Sequence, residues 1–264
     1  MKMRRYGLFI CALLCFVILS PYACHAEEES STIPYPKDYD IISNGASSYQ
    51  GVGDYPDSPY FTMPDFYKMQ SHGGLTMITG YKTYQQTKET TCGPACALTV
   101  LCHYGVTDFH ELQLAKEMGT LVRIDESGEL GTSTEKMAYF FRSQGWDVQS
   151  SLVSGDKTIG RTFKDPSDFK DFVVSNLKKR TPIMVENMYW GGHWRVIIGY
   201  DTMETDATAD DVLIFMDTYD VSDHCQDGYA VQSAEGFFYT WMDIGLLPRN
   251  QQIQQWLIAK PKKK

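Results

Sequence analysis

Positive charge is scarce in this sequence. With 24 Lys and Arg against 33 Asp and Glu its formal net charge is −9, and loss of Lys2, Arg4 and Arg5 with the N-terminal segment leaves the remainder more acidic still. That argues against a nucleic-acid partner, because a phosphate backbone is met by a basic surface. Long apolar runs are also missing. The one clear run, twelve residues from Leu8 to Leu19, is too short to cross a bilayer comfortably, so no membrane span is expected once it is removed. There is no internal repeat and no low-complexity tract. Neither a glycine-rich phosphate loop followed by Lys and Ser/Thr nor a Gly-x-Ser-x-Gly elbow occurs. Cys and His residues are nowhere spaced as a tight zinc site, so neither a metal nor a cofactor is expected.

What is present is enough apolar material for an ordinary core, with 43% hydrophobic and 13% aromatic residues in 264, a length that suits one catalytic-sized domain with appendages. The basic start, the apolar run and Cys24-His-Ala26 before Glu27-Glu-Glu29 have the order of a secretory signal. Residues 1–26 are read as that signal, which predicts a secreted or periplasmic protein. Residues 27–74 are rich in Ser, Tyr, Pro, Gly and Asp without sustained periodicity, and are read as an extended arm that either packs on the domain or acts as a pro-segment.

The body, residues 75–264, begins with a strand-like stretch from Leu75 to Gln85 and turns helical at Cys92, with Thr90 or Thr91 as N-cap and Pro94 in the first turn. Further helices are expected at Asp108 to Met118, Ser133 to Gln144 and Pro166 to Lys179. Strands are expected around Trp146 to Leu152 and at Pro182 to Glu186, Trp194 to Tyr200, Val212 to Met216 and Trp256 to Ala259. Helices first and antiparallel strands after predict an α+β domain.

Chemistry concentrates at Gln86-Thr-Lys-Glu-Thr-Thr-Cys92-Gly-Pro-Ala-Cys96. A cysteine at a helix start has its thiolate stabilised by unpaired N–H groups, and Gly93 leaves space beside the sulfur for a substrate backbone. Gln86, six residues upstream, can return to place an amide next to the Cys92 N–H as an oxyanion donor. Gln85 is the alternative if the loop register differs by one. Four cysteines in the body of an exported chain also suggest disulfides. Cys92 with Cys96 is disfavoured, because i,i+4 β-carbons stand about 5–6 Å apart and a bridge needs about 3.5–4.5 Å. Cys96 or Cys102 is left as a partner for Cys225.

Of six histidines, His25 falls in the leader, His103 and His110 lie in or beside helices, and His72 and His224 lie in loops. His193 follows Gly191-Gly192, which would expose it, and immediately precedes a strand. Pairing that strand with Val212 to Met216, with Ile198 opposite Val212, sets His193 beside Asp217. That makes a base and its orienting acid, with Asn187 and Asp201 in reserve.

These pieces in this order resemble the papain-like cysteine peptidases that process bacteriocin leaders after a double glycine, as a stand-alone exported relative. The matching runs are Gln86, Cys92-Gly-x-Ala-Cys96, Gly131-Thr132-Ser133, Gly192-His193-Trp194, Gly199-Tyr200-Asp201 and Phe215-Met216-Asp217, within Leu75 to Pro261. The resemblance implies a papain-like fold and a peptide or protein substrate. It makes Cys92 the nucleophile, His193 the base, Asp217 the orienting acid and Gln86 the oxyanion donor. Thr91-Cys92-Gly93-Pro94-Ala95 is also similar to phytochelatin synthases, which would make the chain an acyl transferase. A catalytically silent peptide- or envelope-binding module is the alternative from another class.

Overall fold

The computed structural model describes residues 29–49, 54–120, 130–152, 162–189, 191–245 and 247–262. The secretory signal expected at residues 1–26 lies outside them. Among the described residues no helix is long and apolar enough to cross a membrane.

The body is α+β. In chain order it contains β1 (Leu75–Met77), α1 (Cys92–His103), α2 (Glu111–Glu117), α3 (Thr134–Ser143), β2 (Asp147–Ser150) and α4 (Pro166–Leu177), then β3 (Ile183–Met188), β4 (Gly192–Asp201), β5 (Val212–Asp217), β6 (Tyr229–Ser233), α5 (Ala234–Thr240) and β7 (Gln255–Lys260). The strands form one antiparallel sheet in the order β2-β7-β3-β4-β5-β6. β1 adds to the edge of β4 beyond β3, pairing Leu75 with Asp201.

α1 is the central helix because it is apolar all round: every residue from Cys92 to Leu101 is buried. The more amphipathic α3 and α4 begin where side chains take their free N–H groups. Ser133 accepts from the Lys136 N–H at 3.3 Å and Asp165 from the Asp168 N–H at 2.8 Å, with Pro166 preset for the first turn. α3 ends at Gly145, whose φ of +77° suits a residue without a β-carbon.

Three expectations need correction. The strand foreseen from Leu75 to Gln85 is regular only to Met77. Beyond it the backbone leaves the ladder and bonds to other segments: the Thr83 N–H donates to Ser31 O at 2.9 Å and the Gln86 N–H to Thr218 O at 2.9 Å. The register of β4 with β5 also differs. Arg195, not His193, stands opposite Asp217, and Asp201, not Ile198, opposite Val212, with a bulge between Ile197 and Gly199. The hairpin is tighter than foreseen because pairing continues to the ends of both strands. Third, β6 and α5 fill a stretch that carried no expected element.

Candidate active site

Cys92 is the first residue of α1 and is buried. Thr91 occupies the N-cap position without capping. Its hydroxyl donates instead to Lys88 O at 2.9 Å and to the Glu111 carboxylate. Glu111, fully buried at the start of α2, gathers the loop before the cysteine: Thr87 donates to it through N–H at 2.8 Å and hydroxyl at 2.7 Å, and Tyr84 OH at 3.0 Å. Burial pushes this carboxyl up while the donors work the other way.

Gly93 serves packing and not substrate access. A β-carbon there would lie 2.7 Å from Thr132 Cβ and 3.2 Å from Met137 Cε, so its missing side chain lets α1 start against the entry to α3. The structure likewise buries His193, at 6% exposure, where the preceding glycines suggested an exposed loop.

His193 and Asp217 meet despite the shifted register, because His193 is two residues from Arg195 on β4 and reaches Asp217 diagonally. His193 Nε2 lies 2.7 Å from Asp217 Oδ1, and the Cys92 side chain is among the groups that act on the imidazole. Burial alone would depress the imidazole. The Asp217 charge and hydrogen bond, then the hydrogen bond with Cys92, overcome it and raise the pKa to about 9. Burial works against the Asp217 carboxylate too, but His193, Arg195 and the Tyr219 N–H at 2.9 Å hold it below the ordinary value.

Arg195 is a second cation for the acid, with Nη1 3.9 Å from Asp217 Oδ2. It is 2% exposed, lies 4.1 Å over the Phe215 ring and 4.8 Å over Tyr189, and donates to Asn187 Oδ1 at 3.2 Å and Gln232 Oε1 at 3.0 Å. Neither reserve orients the imidazole: Asn187 is engaged by Arg195, and Asp201 turns its carboxylate to the Met203 N–H at 2.8 Å.

The two glutamines separate. Gln85 donates to Asp217 O at 2.9 Å and accepts from the Asp220 N–H at 3.1 Å, so it fastens the strand end bearing the acid. Gln86 belongs to the cysteine loop. Its amide nitrogen donates to Lys88 O at 2.8 Å and Glu89 O at 3.1 Å, and its oxygen accepts from Thr218 Oγ1 at 2.9 Å.

All four body cysteines are free thiols. The expected bridge to Cys225 does not form because the sites are unlike: Cys96 is sealed in the core, Cys102 faces Lys82 and Glu29, and Cys225 sits among Asp227, Asp223 and Asp54. Among the described residues no three His, Cys, Asp or Glu side chains are grouped to hold a metal ion.

Sequence reasoning missed Arg195 and Glu111. A lone arginine within Trp194-Arg-Val-Ile-Ile was the available signal for the first, since an internal charge in an apolar strand needs a buried partner. Nothing distinguished Glu111 from an ordinary acid in a first helical turn.

Residues 78–245 match the model of the Peptidase_C39 like family. The chain is also similar to the crystallised peptidase domain of Streptococcus ComA, described as a bi-functional ABC transporter involved in a quorum-sensing pathway. The two are 17% identical, with 69% of this chain and 99% of that one covered and a TM-score of 0.43. No curated protein is significantly similar.

Proposed function

Because the chain belongs to the Peptidase_C39 like family, which makes its function peptidase-related, we propose that it is an exported thiol peptidase acting through Cys92, His193 and Asp217, with Gln86 as oxyanion donor. The observation that supports the reading is the buried imidazole of His193, held at 2.7 Å by the Asp217 carboxylate and influenced by the thiol that opens α1.

In the proposed reaction Cys92 Sγ attacks the peptide carbonyl carbon as a thiolate, beside a His193 that already carries the proton. The carbonyl oxygen takes the negative charge, facing the Cys92 N–H and an N–H of Gln86 released from Lys88 or Glu89. Collapse breaks the C–N bond, the imidazolium gives its proton to the departing amine, and a thioester remains. Water, deprotonated by His193, cleaves the thioester to a carboxylic acid and free thiol.

The test uses protein lacking residues 1–26, incubated with a diverse peptide mixture and read by mass spectrometry. New termini should form with the unaltered site and vanish with Cys92→Ala. Products that persist in the variant defeat the assignment. One observation favours the silent module: the Gln86 amide is satisfied within its own loop. A protein that cleaves nothing and whose Cys92 alkylates no faster than the other thiols supports that reading instead.

A further inference from the structure

The loop carrying Gln86 is held from two sides. On one side is the chain just beyond Asp217: Gln86 N–H donates to Thr218 O at 2.9 Å, and Thr218 Oγ1 to Gln86 Oε1 at 2.9 Å. On the other is the arm, which lies wholly outside the family match at residues 78–245. Its 3-10 turn, Ala46–Tyr49, is seated on the loop backbone, with Ala46 and Ser47 each 1% exposed.

Contact there is backbone against backbone. Gly45 has a φ of +68°, and a β-carbon on it would stand 2.5 Å from Thr87 C, 2.6 Å from Gln86 O and 2.6 Å from Lys88 N. No side chain fits in that gap without moving the loop. The Ser47 N–H donates to Gln86 O at 3.1 Å, and Asn44 Oδ1 accepts from the Glu89 N–H at 3.1 Å. Tyr39 anchors the arm further back, its hydroxyl accepting from the Leu112 N–H of α2 at 3.0 Å.

We propose that Asn44, Gly45 and Ser47 are positioning residues of the active site, fixing the Gln86–Glu89 backbone so that the Gln86 amide meets the developing oxyanion. The arm is then a working part of the enzyme and not a pro-segment to be discarded. The inference rests on the peptidase reading above, and in particular on the role given there to Gln86.

The experiment compares Gly45→Ala, Asn44→Ala, Asn44→Asp and, as a control on the same arm, Ile42→Ala, a side chain 82% exposed. Three quantities are measured on folded protein: kcat and KM for a peptide found in the cleavage screen, the iodoacetamide rate at Cys92, and amide hydrogen exchange across residues 86–91. Gly45→Ala should lower kcat by at least about 10-fold, short of the roughly 10²–10³ for outright loss of one oxyanion donor. KM and the alkylation rate should stay within about twofold, because alkylation forms no oxyanion. Exchange across 86–91 should rise. Asn44→Ala should show the same pattern more weakly, Asn44→Asp should restore it by keeping the acceptor, and Ile42→Ala should do nothing.

Unchanged kcat and exchange in both Gly45→Ala and Asn44→Ala would overturn the proposal. So would a parallel fall in kcat and alkylation rate, which would mean that the cysteine itself has moved. Should Gly45→Ala fail to fold, the Asn44 pair decides, since that exposed side chain contributes one acceptor. If the unaltered protein cleaves no peptide, the peptidase reading has failed, and unchanged exchange in Asn44→Ala would separately remove the hold of the arm on the loop.

Discussion

At the scale of single residues, the site is governed by what surrounds Asp217. One buried carboxylate serves two buried cations, His193 at 2.7 Å and Arg195 at 3.9 Å, so it is structural besides the orienting role proposed for it. Asp217→Asn should therefore do more than slow turnover: it strands Arg195 without a counter-charge, a loss on the order of 3–5 kcal/mol. The double variant Asp217→Asn with Arg195→Met should regain most of that stability in thermal denaturation while remaining poor in kcat/KM. If Asp217→Asn melts like the unaltered protein, Arg195 is paid for elsewhere and the network is wrong. This distinction also explains what was legible. The meeting of His193 with Asp217 was readable because the turn glycines and strand ends limited where an imidazole and a carboxylate could come together. The shifted register did not matter, since a diagonal pair is still within side-chain reach. Glu111 and the Gln86 amide were not readable as observed, because their partners are fixed by loop backbone, which has no period.

At the scale of elements, α1 places three cysteines in three environments. Cys92 acts on the His193 imidazole, while burial, then Cys92, pushes the Cys96 thiol well up, and burial also raises Cys102. Off the helix, burial and then the neighbouring aspartates push Cys225 up to about 12. The thiolate is the reactive form, so limiting iodoacetamide at pH 7 should label Cys92 first, Cys102 and Cys225 slowly, and Cys96 last. Peptide mapping in which Cys102 or Cys225 leads would sink the nucleophile assignment. α1 to α4 and β3, β4, β5 and β7 were legible because their apolar patterns face a core. α5 was not: Gly236 interrupts a seven-residue helix, and its stability comes from tertiary contact. Phe237 lies 5.4 Å from the Phe215 ring and Trp241 5.2 Å from Phe169, neighbours that no local window reveals.

At the scale of the molecule, buried titrating groups set how stability varies with pH. His193 is raised from its ordinary value to about 9. Its contribution is complete below the unfolded value, about 6.5, and is lost as pH climbs through 9. Asp220 is raised to about 10 by burial, then by Asp223, Asp217 and Asp227. The folded chain therefore keeps that proton while the unfolded chain gives it up above about 3.9, which also favours the unfolded state as pH rises. Asp217 has the opposite sign, but its stabilising effect is lost only as pH falls through its depressed value. Melting temperature should consequently decline from about pH 5 to about pH 9, where the native state holds more protons. Asp220→Asn, which keeps an acceptor for the Gly228 N–H, should flatten the decline. A melting temperature that rises over this range contradicts the assignments.

The sheet order has its own consequence. β7 is the last of the described strands in chain order but lies inside the sheet, between β2 and β3, with Ser150 opposite Leu257 and Met184 opposite Leu257 from the other side. Until Gln255–Lys260 has left the ribosome, β3 keeps a bare edge and β2 has no neighbour, so the sheet stays open however much of the chain precedes it. For a chain proposed to be exported, this ordering bears on when the site is completed. The chain must be made through Lys260 before Cys92 lies on a completed sheet scaffold, and a copy interrupted earlier carries Cys92 without it.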